Sequence, residues 1–184
     1  MPKKINTASI TIAGLFVLSL HGMSSSAFAE TGATATENTR PPMQIVNQTG
    51  LKVVVQVNAA DTAPNGVSKQ VMATRILYDQ YTALGMKPGR DFEIVMVFRA
   101  DGAQFLLTDE AYEQKVKQPH PKGNPNRLML DELTKGGVKV YECGTAMRLK
   151  GYSAQDILPY SQIVVTGIGS MVDFQKSGFV AITP

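Results

Sequence analysis

Tryptophan is missing from this 184-residue chain, cysteine occurs once and histidine twice. A lone cysteine, Cys143, closes no internal disulfide, so it pairs with a partner, reacts or is simply buried. One cysteine and two histidines are too few for a zinc site of nitrogen and sulfur ligands within one chain. No Walker sequence occurs. Gly167-Ile168-Gly169-Ser170 lacks the third glycine of a dinucleotide fingerprint and reads as a plain strand-to-helix turn. No cofactor and no metal are therefore expected. No apolar run reaches the roughly 20 residues of a membrane-spanning helix. The 18 Lys and Arg stand against 15 Asp and Glu. Nothing there gives the clustered basic face of a nucleic-acid binder.

What is present begins with an export signal. Lys3 and Lys4 precede an apolar stretch, Ala8 to Leu20, followed by small residues ending in Ala27 and Ala29. That order predicts a secretory signal peptide over residues 1–29, cleaved after Ala29, and a periplasmic or secreted product with no membrane span after cleavage. Loss of Lys3 and Lys4 leaves 16 basic groups against 15 acidic ones, a net charge of +1, and removes His21. His120, between two prolines, reads as an exposed loop residue. Residues 30–50 are small, polar and proline-bearing and read as a flexible leader. Asn47-Gln48-Thr49 is a glycosylation sequon only in a eukaryotic secretory pathway. Residues 51–184 have the length of one domain, enough for a core without disulfides.

Within that domain, apolar and β-branched runs predict strands at 52–58, 92–98, 138–142, 162–166 and 179–183. Val67, Val71, Thr74, Leu77, Tyr81 and Leu84 fall at helical steps over 66–84. Asn65 is the expected cap of that helix and Gly85 its end. Thr108 caps a short helix to Val116, and Arg127 to Lys135 is a third, with Leu128, Leu130 and Leu133 facing the core. Residues 144–150 and 168–176 complete the helices, and Ser153 caps a short turn. Arg99 to Gly102 reads as a loop, and 118–126 (QPHPKGNPN) as a mobile one. Tyr78 and Tyr81 read as core or interface. Alternation of strands and helices predicts an α/β fold: three layers, α/β/α, around a mostly parallel sheet of about five strands.

In such sheets, sites gather in the loops at the carboxyl ends of strands. Of those loops, only the one at Cys143 holds a strong nucleophile. A cysteine that ends a strand and opens a helix meets backbone N–H groups and a positive dipole end, which favour the thiolate. The Gly144 and Thr145 amides are expected to hold that charge, with Arg99 and Arg148 as helper cations and Lys150 nearby. Glu142 opposes it, weakly if its side chain takes the other face of the strand. Asp61 and Asp101 occupy strand-end loops, where a carboxylate lines a pocket or is merely solvated. The bland alternative is a buried, inert Cys143.

The segment 138–151, VKVYECGTAMRLKG, resembles the part of the DsrE/DsrF-like family in which a central strand ends in cysteine and a short helix closes on glycine. KVVVQVN, FLLTDEAYEQK and the ending from Asp156 to Pro184 are similar to the family's first strand, its segment after the second strand and its last helix and strand. The resemblance spans about Leu51 to Pro184. A departure lies after the second strand, where many members have His-Gly and this chain has Arg99-Ala100-Asp101-Gly102. The resemblance implies a DsrE-like fold and a sulfur relay in which Cys143 carries a persulfide. Gly144, Thr145, Arg99, Asp101 and Arg148 would form its surroundings. It also implies a homo-oligomer, trimer or hexamer, and sulfur donor and acceptor partners, proteins or small sulfur species. Such a chain is at most a carrier that works with those partners. The alternative is a non-catalytic module that binds a small ligand or a protein, with Cys143 structural.

Overall fold

The computed structural model describes residues 45–184. The expected signal peptide and most of the expected leader lie outside the described residues. Of the leader's last residues, Ile45 packs against the domain core and Val46 is exposed. No helix among the described residues is long and apolar enough to cross a membrane.

Five strands form one sheet: β1 (Leu51–Val57), β2 (Phe92–Phe98), β3 (Lys139–Cys143), β4 (Gln162–Val164) and β5 (Val180–Ile182). Their order is β4-β3-β2-β1-β5, and every pairing is parallel. Side chains alternate between faces. Val53, Val55, Val57, Ile94, Met96, Phe98 and Val140 enter the larger core, with Val71 of α1 (Lys69–Ala83) and Leu130 and Leu133 of α3 (Arg127–Lys135). Val54, Val95 and Val97 enter the smaller one, against Met171 and Phe174 of α5 (Gly167–Lys176). Helices thus cover both faces, giving the three expected layers. The apolar strand runs follow from burial on both sides.

Local expectations are corrected at four places. Gly66 has φ +82°, so the helix cannot begin behind Asn65. The cap is Ser68, while Asn65 Oδ1 accepts only the Val67 N–H two residues on. Leu128 is 71% exposed, because it lies two residues from Leu130, on the far side of the helix. Residues 100–106 form a 3-10 helix instead of a loop. Its Gly102 is pressed so near β1 that a Cβ would collide with the Val57 carbonyl oxygen. Finally, the 118–126 loop is anchored at its end. The Asn124 amide donates to the Phe105 and Leu107 carbonyls, and Asn126 Oδ1 accepts the Ser68 N–H. These polar side chains satisfy backbone groups that the neighbouring turns leave unpaired.

Candidate functional site

Sheet topology points to a candidate site. After β3 the chain enters α4 (Gly144–Lys150), whose Met147 joins the larger core. After β4 it enters α5, which packs on the opposite face. Where neighbouring parallel strands send their connections to opposite faces, a crevice opens at their carboxyl ends, and open α/β sheets bind ligands there. Cys143 is the last residue of β3, in register with Val164 of β4.

Cys143 is 5% exposed and is the N-cap of α4. Its Sγ accepts the Ala146 N–H at 3.4 Å and the Gly167 N–H at 3.1 Å. These donors belong to the first turns of two helices, where unpaired amides and the dipole favour negative charge. The expected Gly144 and Thr145 amides do not serve, because an N-cap side chain folds back onto the amide of the third helical residue, here Ala146. Gly167 permits the approach of α5. A Cβ on it would stand 3.2 Å from Cys143 Cβ and 3.0 Å from Arg99 Cβ. Gly144 is equally constrained, since its Cβ would meet the Val164 carbonyl oxygen at 2.9 Å.

Other expected site residues are placed as follows. Arg99 lies beside Cys143 across Gly167, its Nε donating to Gln56 Oε1 at 2.9 Å. It is followed by Ala100 in the left-handed region, φ +49°, a strained setting for a side chain. Thr145 Oγ1 donates to the Val165 carbonyl and accepts from Arg148 Nη2 at 3.1 Å, which leaves Arg148 on the exposed rim. Asp101 is paired with Lys150 at 2.9 Å. Both line a polar cavity of about 320 Å³ with Lys115, Lys117, Gln104 and Tyr152. Tyr152 also packs against the cluster of Ala103, Cys143 and Ala146. His120 is half-buried, its ring edge-on to Tyr112. Tyr78 and Tyr81 pack edge-on to Phe92.

One residue of this neighbourhood, expected only as a charge opposing the thiolate, takes a different form. Glu142 is fully buried. Its Oε1 accepts the Cys143 N–H at 3.1 Å, and its Oε2 has no hydrogen-bond partner among the described residues. Burial pushes its carboxyl up to about 9, and the adjacent Cys143 adds to the rise against the opposing pull of the Cys143 N–H and Lys150. Glu142 is thus a neutral acid at neutral pH. Burial, with Glu142 as the leading charge, likewise pushes the Tyr152 phenol up to about 12. Strand parity held the signal for Glu142: it shares inward parity with Val138 and Val140, both buried.

The pattern of the DsrE/DsrF-like family matches residues 52–184. Among solved structures, the chain is similar to a protein of unknown function, MTH1491, from Methanobacterium thermoautotrophicum. Identity is 20%, coverage is 73% of this chain and 99% of that one, and the TM-score is 0.53. It is also similar to the ychN protein from E. coli, at 17% identity over 72% of this chain and 97% of that one, with a TM-score of 0.48. The likeness to MTH1491 bears on the fold alone. No curated protein matches the chain.

Proposed function

The chain belongs to the DsrE/DsrF-like family, and from that premise we propose that it is an exported sulfur carrier working through Cys143. Membership supports a sulfur-relay type of role in general. The finer reading rests on one observation: the Cys143 sulfur sits between two helix-start N–H groups at the carboxyl end of β3. That setting suits an anionic sulfur. In the proposed step the Cys143 thiolate attacks the outer sulfur of a donor persulfide, R–S–SH. A bond forms between the two sulfurs, the old sulfur–sulfur bond breaks, and R–S⁻ leaves with the electron pair. Cys143 then holds S–SH, and an acceptor thiolate removes the outer sulfur in the same way, with no net oxidation.

Partners would reach Cys143 over β4, which has β3 as its one neighbour among the described residues. Ile163, Val165, Ile168 and Val172 are exposed there and on α5, and we extend the proposal to homo-oligomerisation over this apolar edge. Export follows from the signal peptide read over residues 1–29, so donor and acceptor would lie outside the cytoplasm.

A second reading is favoured by the near-complete burial of Cys143. On it the domain is a non-catalytic binding module and the thiol is inert. Intact mass after incubation with inorganic polysulfide separates the two. The carrier gains one or more sulfur atoms, the gain vanishes with reductant, and Cys143→Ser gains none. A wild-type protein that takes up no sulfur, and whose thiol is alkylated only after denaturation, makes it a binding module.

A further inference from the structure

We propose that the polar cavity beside the Cys143 cluster seats the donor of the relay, and that this donor is a low-molecular-weight organic persulfide with an anionic, carboxylate-bearing body. The inference rests on the reading of Cys143 as a sulfur carrier, and deepens it by naming the class of donor.

The cavity measures about 320 Å³, and its cations are Lys115, Lys117 and Lys150, against one lining carboxylate, Asp101. Two of these cations are fixed in place. Lys115 Nζ donates to the Gly151 carbonyl at 2.9 Å and pairs with Asp156 at 3.2 Å. Lys150 Nζ pairs with Asp101 at 2.9 Å. The third, Lys117, donates to the Gln114 carbonyl of its own turn and has no carboxylate partner among the described residues. Three lysines against Asp101 and Asp156 leave one net positive charge. Each ammonium has three donors, so N–H groups remain to be taken up from the cavity side.

Gln104 is an independent sign of a ligand. It is 9% exposed and lines the cavity, yet its side-chain amide makes no hydrogen bond among the described residues. Buried polar groups are nearly always paired, and an unpaired one is costly. A purely structural residue here would be apolar, as its neighbours Ala103 and Phe105 are, both fully buried. The Tyr152 hydroxyl, at the same cavity, likewise makes no hydrogen bond among the described residues. An amide and a phenol both donate and accept, so beside ammonium groups they suit a ligand with neutral polar groups as well as carboxylates.

Size and position narrow the class. A second recess of about 70 Å³ shares Ala60, Gln104, Val116 and Gln118 with the cavity and continues against Phe105 and Tyr112. A water takes up roughly 30 Å³, so a small inorganic oxyanion would leave much of this space unfilled. Charged, neutral polar and apolar walls together fit an organic body. Tyr152 ties the cavity to the sulfur, because it also packs against Ala103, Cys143 and Ala146. Packing alone holds its ring, and turning the ring aside opens a path from the seat to Sγ. The transfer is the one already written: the outer sulfur of R–S–SH passes to Cys143, and R–S⁻ leaves with the electron pair. The lysines and Gln104 hold R throughout.

The probe is S-methylglutathione, a carboxylate-bearing thioether that cannot react with Cys143. It is titrated by calorimetry into wild type, Lys117→Gln, Gln104→Leu and Cys143→Ser. Lys117 is exposed, so its variant keeps the fold. Wild type should bind saturably, Lys117→Gln and Gln104→Leu each roughly 10-fold more weakly, and Cys143→Ser as wild type does. The diethyl ester of the probe, which lacks the carboxylate charges, should also bind roughly 10-fold more weakly. No saturable binding, or binding that survives both cavity substitutions, overturns the proposal. Thiosulfate or phosphate binding as tightly as the probe does too, since the cavity would then be a general anion site. Sulfur uptake from polysulfide without probe binding removes the seat, leaves the carrier and points to a protein donor. Probe binding without sulfur uptake leaves an organic-anion site and overturns its use in a relay.

Discussion

Three helices of this domain begin with a side chain that accepts an amide three residues on, and they do not do it alike. Ser68 accepts from Val71 at 3.5 Å and Thr108 from Ala111 at 3.2 Å, both with oxygen. Cys143 accepts from Ala146 at 3.4 Å with sulfur. Burial does not explain the difference, because Ser68 is as buried as Cys143. Their other ties do. The Ser68 N–H is held by Asn126 Oδ1, a bond that joins α1 to the distant loop. Cys143 receives a second donor from another helix, Gly167, and a buried acid stands next to it. The oxygen caps hold neutral backbone in place, whereas the sulfur cap gathers donors as around an anion. A neutral thiol is a weak acceptor and a poor choice for capping alone.

The sharpest consequence concerns Glu142 and stability. Its carboxyl ionises near 4.5 when unfolded and near 9 when folded. Below pH 4.5 both states hold the proton and burial carries no ionisation penalty. Between the two values the unfolded chain releases the proton and the folded chain does not, so stability falls as pH rises and levels off above about 9. At pH 7 the loss is about 3 kcal/mol at 1.36 kcal/mol per unit. Glu142→Gln should therefore be more stable than wild type by about 3 kcal/mol at pH 7 and by almost nothing at pH 4. Urea unfolding of both proteins across that range measures the gap. A gap independent of pH would mean that Glu142 is ionised in the fold, and the contrast between sulfur and oxygen caps would lose its chief support.

At the oxygen caps the expected effects are smaller and of opposite sign. Ser68→Ala strands the buried Val71 N–H and should destabilise by about 1–2 kcal/mol. Thr108→Ala, at the less buried start of α2 (Asp109–Lys115), should destabilise by about 1 kcal/mol. Neither should alter Cys143 alkylation. A change in Cys143 reactivity in the Ser68 variant would mean that caps and site are one cooperative unit.

How far the sequence discloses all this depends on the range of the interaction. The strands were legible because β1, β2 and β3 are buried on both faces, so apolar β-branched runs mark them directly. Thr108 was legible as a cap because its partner lies three residues away. Ser68 was not, since Asn65 carries the same local signal, and the later start follows from the left-handed turn at Gly66 and from the bond that Asn126, 58 residues on, makes to the Ser68 N–H. At the site, strand parity with Val138 and Val140 announced an inward Glu142. Reading it only as a charge opposing Cys143 concealed that it would be an acid. The second sulfur donor, Gly167, lies 24 residues from Cys143. It comes from the crossing of α5 behind the sheet, which no local pattern encodes. Arg99 stands against the same glycine.

The smallest expected effect tests the comparison most directly. Cys143→Ser places at α4 the oxygen that α1 and α2 use. The hydroxyl is the better acceptor for Ala146, while its shorter bond draws it away from the Gly167 N–H. These changes oppose each other, so unfolding free energy should move by less than about 1 kcal/mol, the net worth of one hydrogen bond. A loss of about 2 kcal/mol or more would show that the sulfur itself packs the crevice, as a buried methylene does, and that Cys143 is kept for the fold. Near-neutral stability joined to complete loss of sulfur uptake would separate the two jobs of this position. Serine can cap α4, but only a thiolate can hold the second sulfur.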